Sequence, residues 1–397
     1  MILELILAIL LGITIGTLTG LVPGIHINLV GAILLSLLAF FLNITSPIII
    51  VIFIVSMSIT HTFIDFIPSI FLGAPNEDTI LSILPGHELL VNGEGYEAVA
   101  LANIGSLSGI IIILILSPIF IILLPKLEPI IKILVPYLLL ASTIFLISKE
   151  NKKTLATIVF LLAGFLGIAV LNSNVNEPLL PLLSGLFGAS SLIISIKTKT
   201  IIPKQTIRKV EIDKKILFPP LIASIISTPL TSFLPGLGSG QAAVLGSSIK
   251  ELTKKQFLIL LGAVNIIVLG LSYVVLYSID RKRTGMAVAV SEIITELTLK
   301  DVFVILITII LTGIICYYLT LFLARIISIK IHNYNYTYLS SIILIIISMF
   351  VLIFSGPLGF FIYIISTATG IFGIMSGVKR INLMGCLVIP VILFYLF

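Results

Sequence analysis

The chain has 397 residues, with 23 Lys and Arg against 17 Asp and Glu; only 10% of the residues are charged and the net charge is +6. Apolar residues make up 59% and mean hydropathy is +1.29, whereas soluble domains carry roughly 25% charged residues. A surface so poor in charge excludes a soluble enzyme, a disordered chain and a nucleic-acid binder, and lipid must be the solvent for most of the protein.

The apolar runs are long and continuous, as at 48–59, 110–124 and 342–354. Barrel strands would instead be segments of about ten alternating residues. A helix of about 20 residues crosses about 30 Å of hydrocarbon, and only helices satisfy every backbone polar group within one segment. The expectation is an all-α polytopic protein, multi-pass in the cell membrane. Met1-Ile2-Leu3-Glu4 places no basic residue before the first apolar run, so that run is expected to persist as a helix and not as a cleaved signal.

In chain order, apolar segments fall at 2–21, 27–42, 47–72, 98–124, 130–148, 154–172, 178–196, 216–234, 236–249, 256–279, 302–327, 336–355, 357–375 and 381–397. The stretch 197–215 stands apart. It carries Lys197, Lys199, Lys204, Arg208, Lys209, Lys214 and Lys215 against Glu211 and Asp213. The positive-inside rule places it in the cytoplasm, with Lys149, Lys152 and Lys153 on the same side and the turn 172–178 facing outward. Lys250, Lys254 and Lys255 precede a segment that Arg281, Lys282 and Arg283 follow, a conflict that a broken or re-entrant segment would relieve. Glu88 to Glu97 reads as a solvated loop. Cys316 and Cys386, each inside an apolar run, read as packing residues. The four histidines show no i, i+4 spacing, so no metal site is expected.

The basic stretch divides the chain into a first membrane repeat, 1–196, a linker, 197–215, and a second membrane repeat, 216–397. Residues 18–24 read Leu-Thr-Gly-Leu-Val-Pro-Gly and residues 230–236 read Leu-Thr-Ser-Phe-Leu-Pro-Gly. Leu18, Thr19, Pro23 and Gly24 recur at a constant offset as Leu230, Thr231, Pro235 and Gly236, each about 20 residues into its half. This points to an internal duplication, with two pseudo-symmetric, inverted repeats and re-entrant or broken helices at Pro-Gly.

Proline lacks an N–H and glycine tolerates left-handed angles, so Pro-Gly stops a helix and strands polar backbone groups in hydrocarbon. Such a break survives only within protein or beside a water-filled cavity. Half-helix N-termini then attract anions, and freed carbonyls attract cations. After the first break come His26 and Asn28; after the second come Gly238, Ser239, Gly240 and Gln241. These residues fit a carboxylate cradle, while the plainer reading is two kinked helices packed through small residues. A third polar break holds Gly73, Pro75, Asn76, Glu77, Asp78 and Thr79 directly after an apolar segment. Asp65 stands inside an apolar run. It reads either as a site for Na+ or a proton, or as a structural carboxylate paired with His61. Asn103, Asn265, Ser272 and Glu292 read as cavity lining or as helix–helix hydrogen bonds.

Gly73-Ala-Pro75-Asn-Glu-Asp-Thr79, Leu84-Pro-Gly-His87, Gly93-Glu-Gly95-Tyr-Glu-Ala98 and Leu101-Ala-Asn-Ile-Gly-Ser106 together resemble the large permease subunit of tripartite tricarboxylate transporters, the TctA family. Leu21-Val-Pro23-Gly24 and Phe233-Leu-Pro235-Gly236-Leu-Gly238-Ser-Gly240 are similar to that family's two Leu-Pro-Gly signatures. The resemblance implies import of a small carboxylated anion coupled to Na+ or H+, with no other cofactor. It also implies a small membrane subunit and an extracytoplasmic binding protein as partners. Carried over, the site would hold Pro23, Gly24, Pro75, Thr79, Pro235, Gly236, Gly238, Ser239 and Gly240. To these the residue reading adds Thr19, His26, Asn28, Gly73, Asn76 and Gln241 toward substrate, and Asp65, Glu77 and Asp78 toward the coupling ion. A translocase for a polyprenyl-phosphate type of lipid carrier is the competing function, but neither Pro-Gly break contains Lys or Arg. An intramembrane serine enzyme would need a base near Ser239, and none is evident, so no catalysis is expected.

Overall fold

A computed structural model describes residues 2–22, 31, 34, 35, 38, 42–72, 83–198, 202–208, 210, 211, 213–233, 238–249 and 252–396. Fifteen α-helices are used below. They are α1 (Ile2–Leu21), α2 (Pro47–Ile64), α3 (Phe66–Leu72), α4 (Ile83–Val91), α5 (Gly95–Ser148), α6 (Lys153–Leu171), α7 (Leu179–Leu183) and α8 (Ser190–Thr198). The second half contributes α9 (Lys214–Phe233), α10 (Ser239–Ile249), α11 (Lys254–Ile279), α12 (Gly285–Ile293), α13 (Leu299–Lys330), α14 (Tyr336–Met375) and α15 (Gly385–Leu396). A π-turn, Ser184–Ala189, joins α7 to α8. Among the described residues, eight helices are long and apolar enough to cross a membrane.

Burial sorts the helices by their solvent. The most apolar stretch of α11 is 100% buried inside the protein. The outer helices turn apolar side chains outward, among them Leu3, Ile133, Phe165 and Phe361. Water would penalise that surface, and hydrocarbon does not.

The packing crosses between the two halves of the chain. Ser56 donates to the carbonyl of Ile9 at 2.9 Å and the His61 ring lies 3.1 Å from the Thr19 hydroxyl, so α1 and α2 run in the same sense. Thr312 donates to Ser56 and Cys316 to Thr60, at 3.2 and 3.1 Å, so α13 of the second half runs alongside α2 in that sense too. On the other side, Glu97 pairs with Lys255 and Ser106 donates to the carbonyl of Gly262, which aligns α5 with α11. Those two helices touch backbone to backbone. A Cβ on Gly105 would fall 2.0 Å from the Ile259 carbonyl oxygen, and one on Gly262 would fall 1.9 Å from that of Ala102. Between the pairs, Asn103 meets Tyr317 while Ile110 meets Gly313, so α5 and α13 run in opposite senses. The four-helix centre therefore comprises two parallel pairs, each drawn from both halves and directed oppositely.

α9 and α10 form a hairpin that enters and leaves by one face. Gln256, at the start of α11, donates to the carbonyl of Lys215, at the start of α9, at 3.0 Å. Lys254 and Lys255 thereby share a face with the basic linker. The relief expected for Arg281–Arg283 does not follow. α11 is an unbroken 26-residue helix, about 39 Å long, and it leaves that cluster at the far face. There Arg281 binds the Tyr395 hydroxyl at 2.6 Å and Lys282 lies 3.1 Å from the Glu292 carboxylate.

Two long helices turn back on themselves. α14 contains Gly356 at φ 68°, followed by Pro357. Ser348 and Tyr363 come within 3.4 Å, which a straight helix would hold about 22 Å apart, so this helix is a hairpin. α5 remains helical through Pro118, Pro125, Pro129 and Pro136 for 54 residues, where two separate segments were expected. Both of its ends lie at the basic face. Gly95 binds Gln205 of the linker; at the other end Glu150 accepts from Lys379 and Asn382, beside Arg380, which acts on His87 of α4 and binds Ser191 of α8. The expected loop from Glu88 to Glu97 is also corrected: Glu88 lies in α4 and Glu97 in α5, where they pair with Lys254 and Lys255. Part of the basic linker is anchored there as well, since buried Gln205 bridges Gly95 N–H and the Leu90 carbonyl.

Candidate functional site

Pro23, Gly24, His26, Asn28, Gly73, Pro75, Asn76, Glu77, Asp78, Thr79, Pro235 and Gly236 lie outside the described residues, as does the side chain of Gln241. The helices that flank two of these stretches are described: the end of α1 and the start of α10. Gly20 packs against Ile64, so α1 ends beside the end of α2. The span formed by α2 and α3 continues to Leu72, about 12 Å further. In the second half Gly246 of α10 meets Leu260 of α11. Ser239 opens α10 seven residues nearer the tip, level with about residue 267, and α11 runs on to Ile279, about 18 Å beyond. The end of α1 and the start of α10 thus both lie short of the ends of the longer spans beside them.

Polar groups gather around these helix ends. Thr19 is in the last turn of α1, against His61. Asp65 interrupts α2 and α3 and is 4% exposed; its N–H bonds to the His61 carbonyl at 2.9 Å and its own carbonyl accepts from Ser69 Oγ at 2.6 Å. At the start of α10 Ser239 is 1% exposed and Gly240 is buried, so α10 presents its first N–H groups inside the protein. Thr231 returns its hydroxyl to the Thr228 carbonyl, while the neighbouring Ser232 Oγ is buried without a partner. Asn265 is near the middle of α11, and both polar atoms of its amide are buried unpaired. A helix–helix hydrogen bond therefore does not account for it. Ser272 does make such a bond, to Thr284 at 3.1 Å, and Glu292 pairs with Lys282 at the surface.

The sequence reading overlooked Thr312 and Thr320 and gave Cys316 only a packing role. With Thr308 they recur every fourth residue on α13, a spacing that puts one polar stripe on one helix face. That stripe was the available signal. Outside the spans, Arg380 donates to Ser191 Oγ at 2.5 Å, and burial pulls its guanidinium down to about 10. Burial, then the Arg380 charge, lowers the pKa of His87 below its usual 6.5. At the far face a pocket of about 420 Å³ is lined by Asp280 and Glu296, charges that repel an anion.

These features define a multi-pass helical membrane protein with buried polar groups near the end of α1 and the start of α10. The chain belongs to the tripartite tricarboxylate transporter TctA family, whose model matches residues 6–385. The family is one of transporters. The chain is also 31% identical over 404 residues to an uncharacterized protein of Methanocaldococcus jannaschii, an alignment spanning 98% of this chain and 99% of that protein. No solved structure matches it.

Proposed function

We propose that the chain is a secondary permease that imports a carboxylate anion, with Na+ or H+ as the coupling ion. Family membership supports the transport class, and one structural observation supports the site: unpaired buried polar groups, Ser232 Oγ and the Asn265 amide, occur at the depth where α10 starts. Each such group costs several kcal/mol in an apolar setting, of order 1–3 by mutational measures. A polar ligand with both donor and acceptor needs would recover that cost. The N–H groups that open α10, with Gly238, Ser239, Gly240 and Gln241, would face the carboxylate, and Thr19 and Asp65 would serve the first break. The breaks at Pro23-Gly24 and Pro235-Gly236 and the polar run from Gly73 to Thr79 complete the proposed site.

The halves 1–196 and 216–397 act as inverted repeats about the linker 197–215. The opposed senses of the α2–α13 and α5–α11 pairs support this. A tripartite family implies partners, here a small membrane subunit and an extracytoplasmic binding protein.

The test is uptake of labelled di- and tricarboxylates into proteoliposomes, driven by an inward Na+ gradient or by a pH gradient. Gradient-dependent accumulation is expected, with loss of uptake in Gly238→Leu while the protein still elutes as a folded peak. Uptake unchanged in that variant, or binding confined to lipid phosphates, would overturn the assignment.

A further inference from the structure

Many buried hydroxyls in this bundle bond their own helix, although several serines, Ser232 among them, do not. Thr60 donates to the Ser56 carbonyl at 2.7 Å, Thr308 to that of Val304 at 2.8 Å, and Ser58 reaches back three residues to Val55 at 2.9 Å. Thr320 does not follow the pattern. It is 0% exposed, and its Oγ1 has no partner. Asn103, on the facing helix α5, is also 0% exposed. Its Nδ2 donates to the Tyr317 carbonyl at 2.9 Å, and its Oδ1 is buried unpaired.

Tyr317 stands three residues before Thr320, so its carbonyl is one that a hydroxyl at 320 can reach along the helix. The Asn103 amide has taken that carbonyl, which brings the two unpaired oxygens into one neighbourhood. The register of α2 against α13 adds a charge. Ser56 meets Thr312 and Thr60 meets Cys316, so the next turn sets Ile64 and Asp65 level with Thr320. Asp65 is 4% exposed.

We propose that Asn103 Oδ1, Thr320 Oγ1 and the Asp65 carboxylate bind a dehydrated Na+ ion. The site deepens the permease reading and rests on it for its role in coupling. Hard cations take oxygen ligands from carboxylates, amides and hydroxyls, and an intramembrane carboxylate marks an ion path. A proton on Asp65 would leave the Asn103 and Thr320 oxygens unsatisfied, whereas a hard cation would use both beside the carboxylate.

The experiment is equilibrium binding of radioactive Na+ to the purified full chain in nanodiscs, with choline chloride holding ionic strength constant. Wild type is expected to bind Na+ saturably. Thr320→Val, close in shape, and Asn103→Leu should each weaken binding by about tenfold or more, as removal of groups at a metal site does. Melting temperature in choline chloride should not fall in Thr320→Val, because the change removes an unpaired hydroxyl. Equal Na+ affinity in Thr320→Val and wild type, or absence of saturable binding in wild type, would overturn the site. Carboxylate uptake driven by a proton gradient with no Na+ requirement would refute this site and leave the permease standing. Saturable Na+ binding that Thr320→Val weakens, without carboxylate transport under any gradient, would retain the site and remove the permease reading.

Discussion

Gln256 Nε2 lies 3.0 Å from the carbonyl oxygen of Lys215, although 41 residues separate them. The α9–α10 hairpin thus begins and ends at one face. Cysteines placed at Lys215 and Lys254 should both react with an impermeant maleimide from the same side of sealed vesicles. Labelling from opposite sides would show that the hairpin crosses fully.

The α5–α11 contact leaves no room for side chains at its centre. Gly105→Leu and Gly262→Leu should each destabilise by more than the 1–3 kcal/mol usual for overpacking, because the clash is with backbone. Cys316 and Cys386 are both buried thiols outside any disulfide. A thiol-reactive dye would therefore report the melt directly, and a melting temperature like that of wild type would contradict the contact.

Tyr273 and Ser58 share a buried hydrogen bond of 2.8 Å between α11 and α2. Tyr273→Phe should cost about 1 kcal/mol, and Ser58→Ala about 1–3 kcal/mol, since the latter leaves the larger residue's hydroxyl stranded. Thermal melts in detergent would rank the two.

The Lys255–Glu97 pair is 2.6 Å long but 40% and 28% exposed. Lys255→Ala should change stability by about 0–1 kcal/mol, the range of solvent-screened pairs. A loss well above that would mean the pair does more than fasten two helix starts.

His87 carries a pH prediction. Its charged form is disfavoured in the fold, by burial first and then by Arg380. The unfolded chain then binds the proton more tightly, so stability present above the ordinary pKa of 6.5 is lost as pH falls from there toward the lowered value. Melting temperature should drop across that window in wild type, and the drop should shrink in His87→Gln.

Composition alone disclosed the solvent, and the apolar runs located α1, the α2–α3 span, α11 and both arms of α14. The remainder was hidden for physical reasons. The expected division between 124 and 130 falls among Pro118 to Pro136, yet the chain stays helical there while it turns back, as a membrane helix can where neighbours meet the freed groups. α4 and α12 are nine-residue helices, too short and too polar to stand out as spans. Within the proposed site, Asp65 was visible because a carboxylate in an apolar run is conspicuous. Thr320 was not, because a threonine in such a run ordinarily bonds its own helix, and the placement of Asn103 cannot be read from the sequence.

The crosswise pairing also bears on how the chain matures. When α2 and α5 leave the ribosome, the helices that cover them, α13 and α11, have not been synthesised. The nascent first half must therefore persist in the bilayer with its eventual seams coated by lipid, and final assembly is a post-translational docking of two inserted pieces. A gene severed within the linker should accordingly still yield a working protein when both fragments are co-expressed, and neither fragment should mature alone.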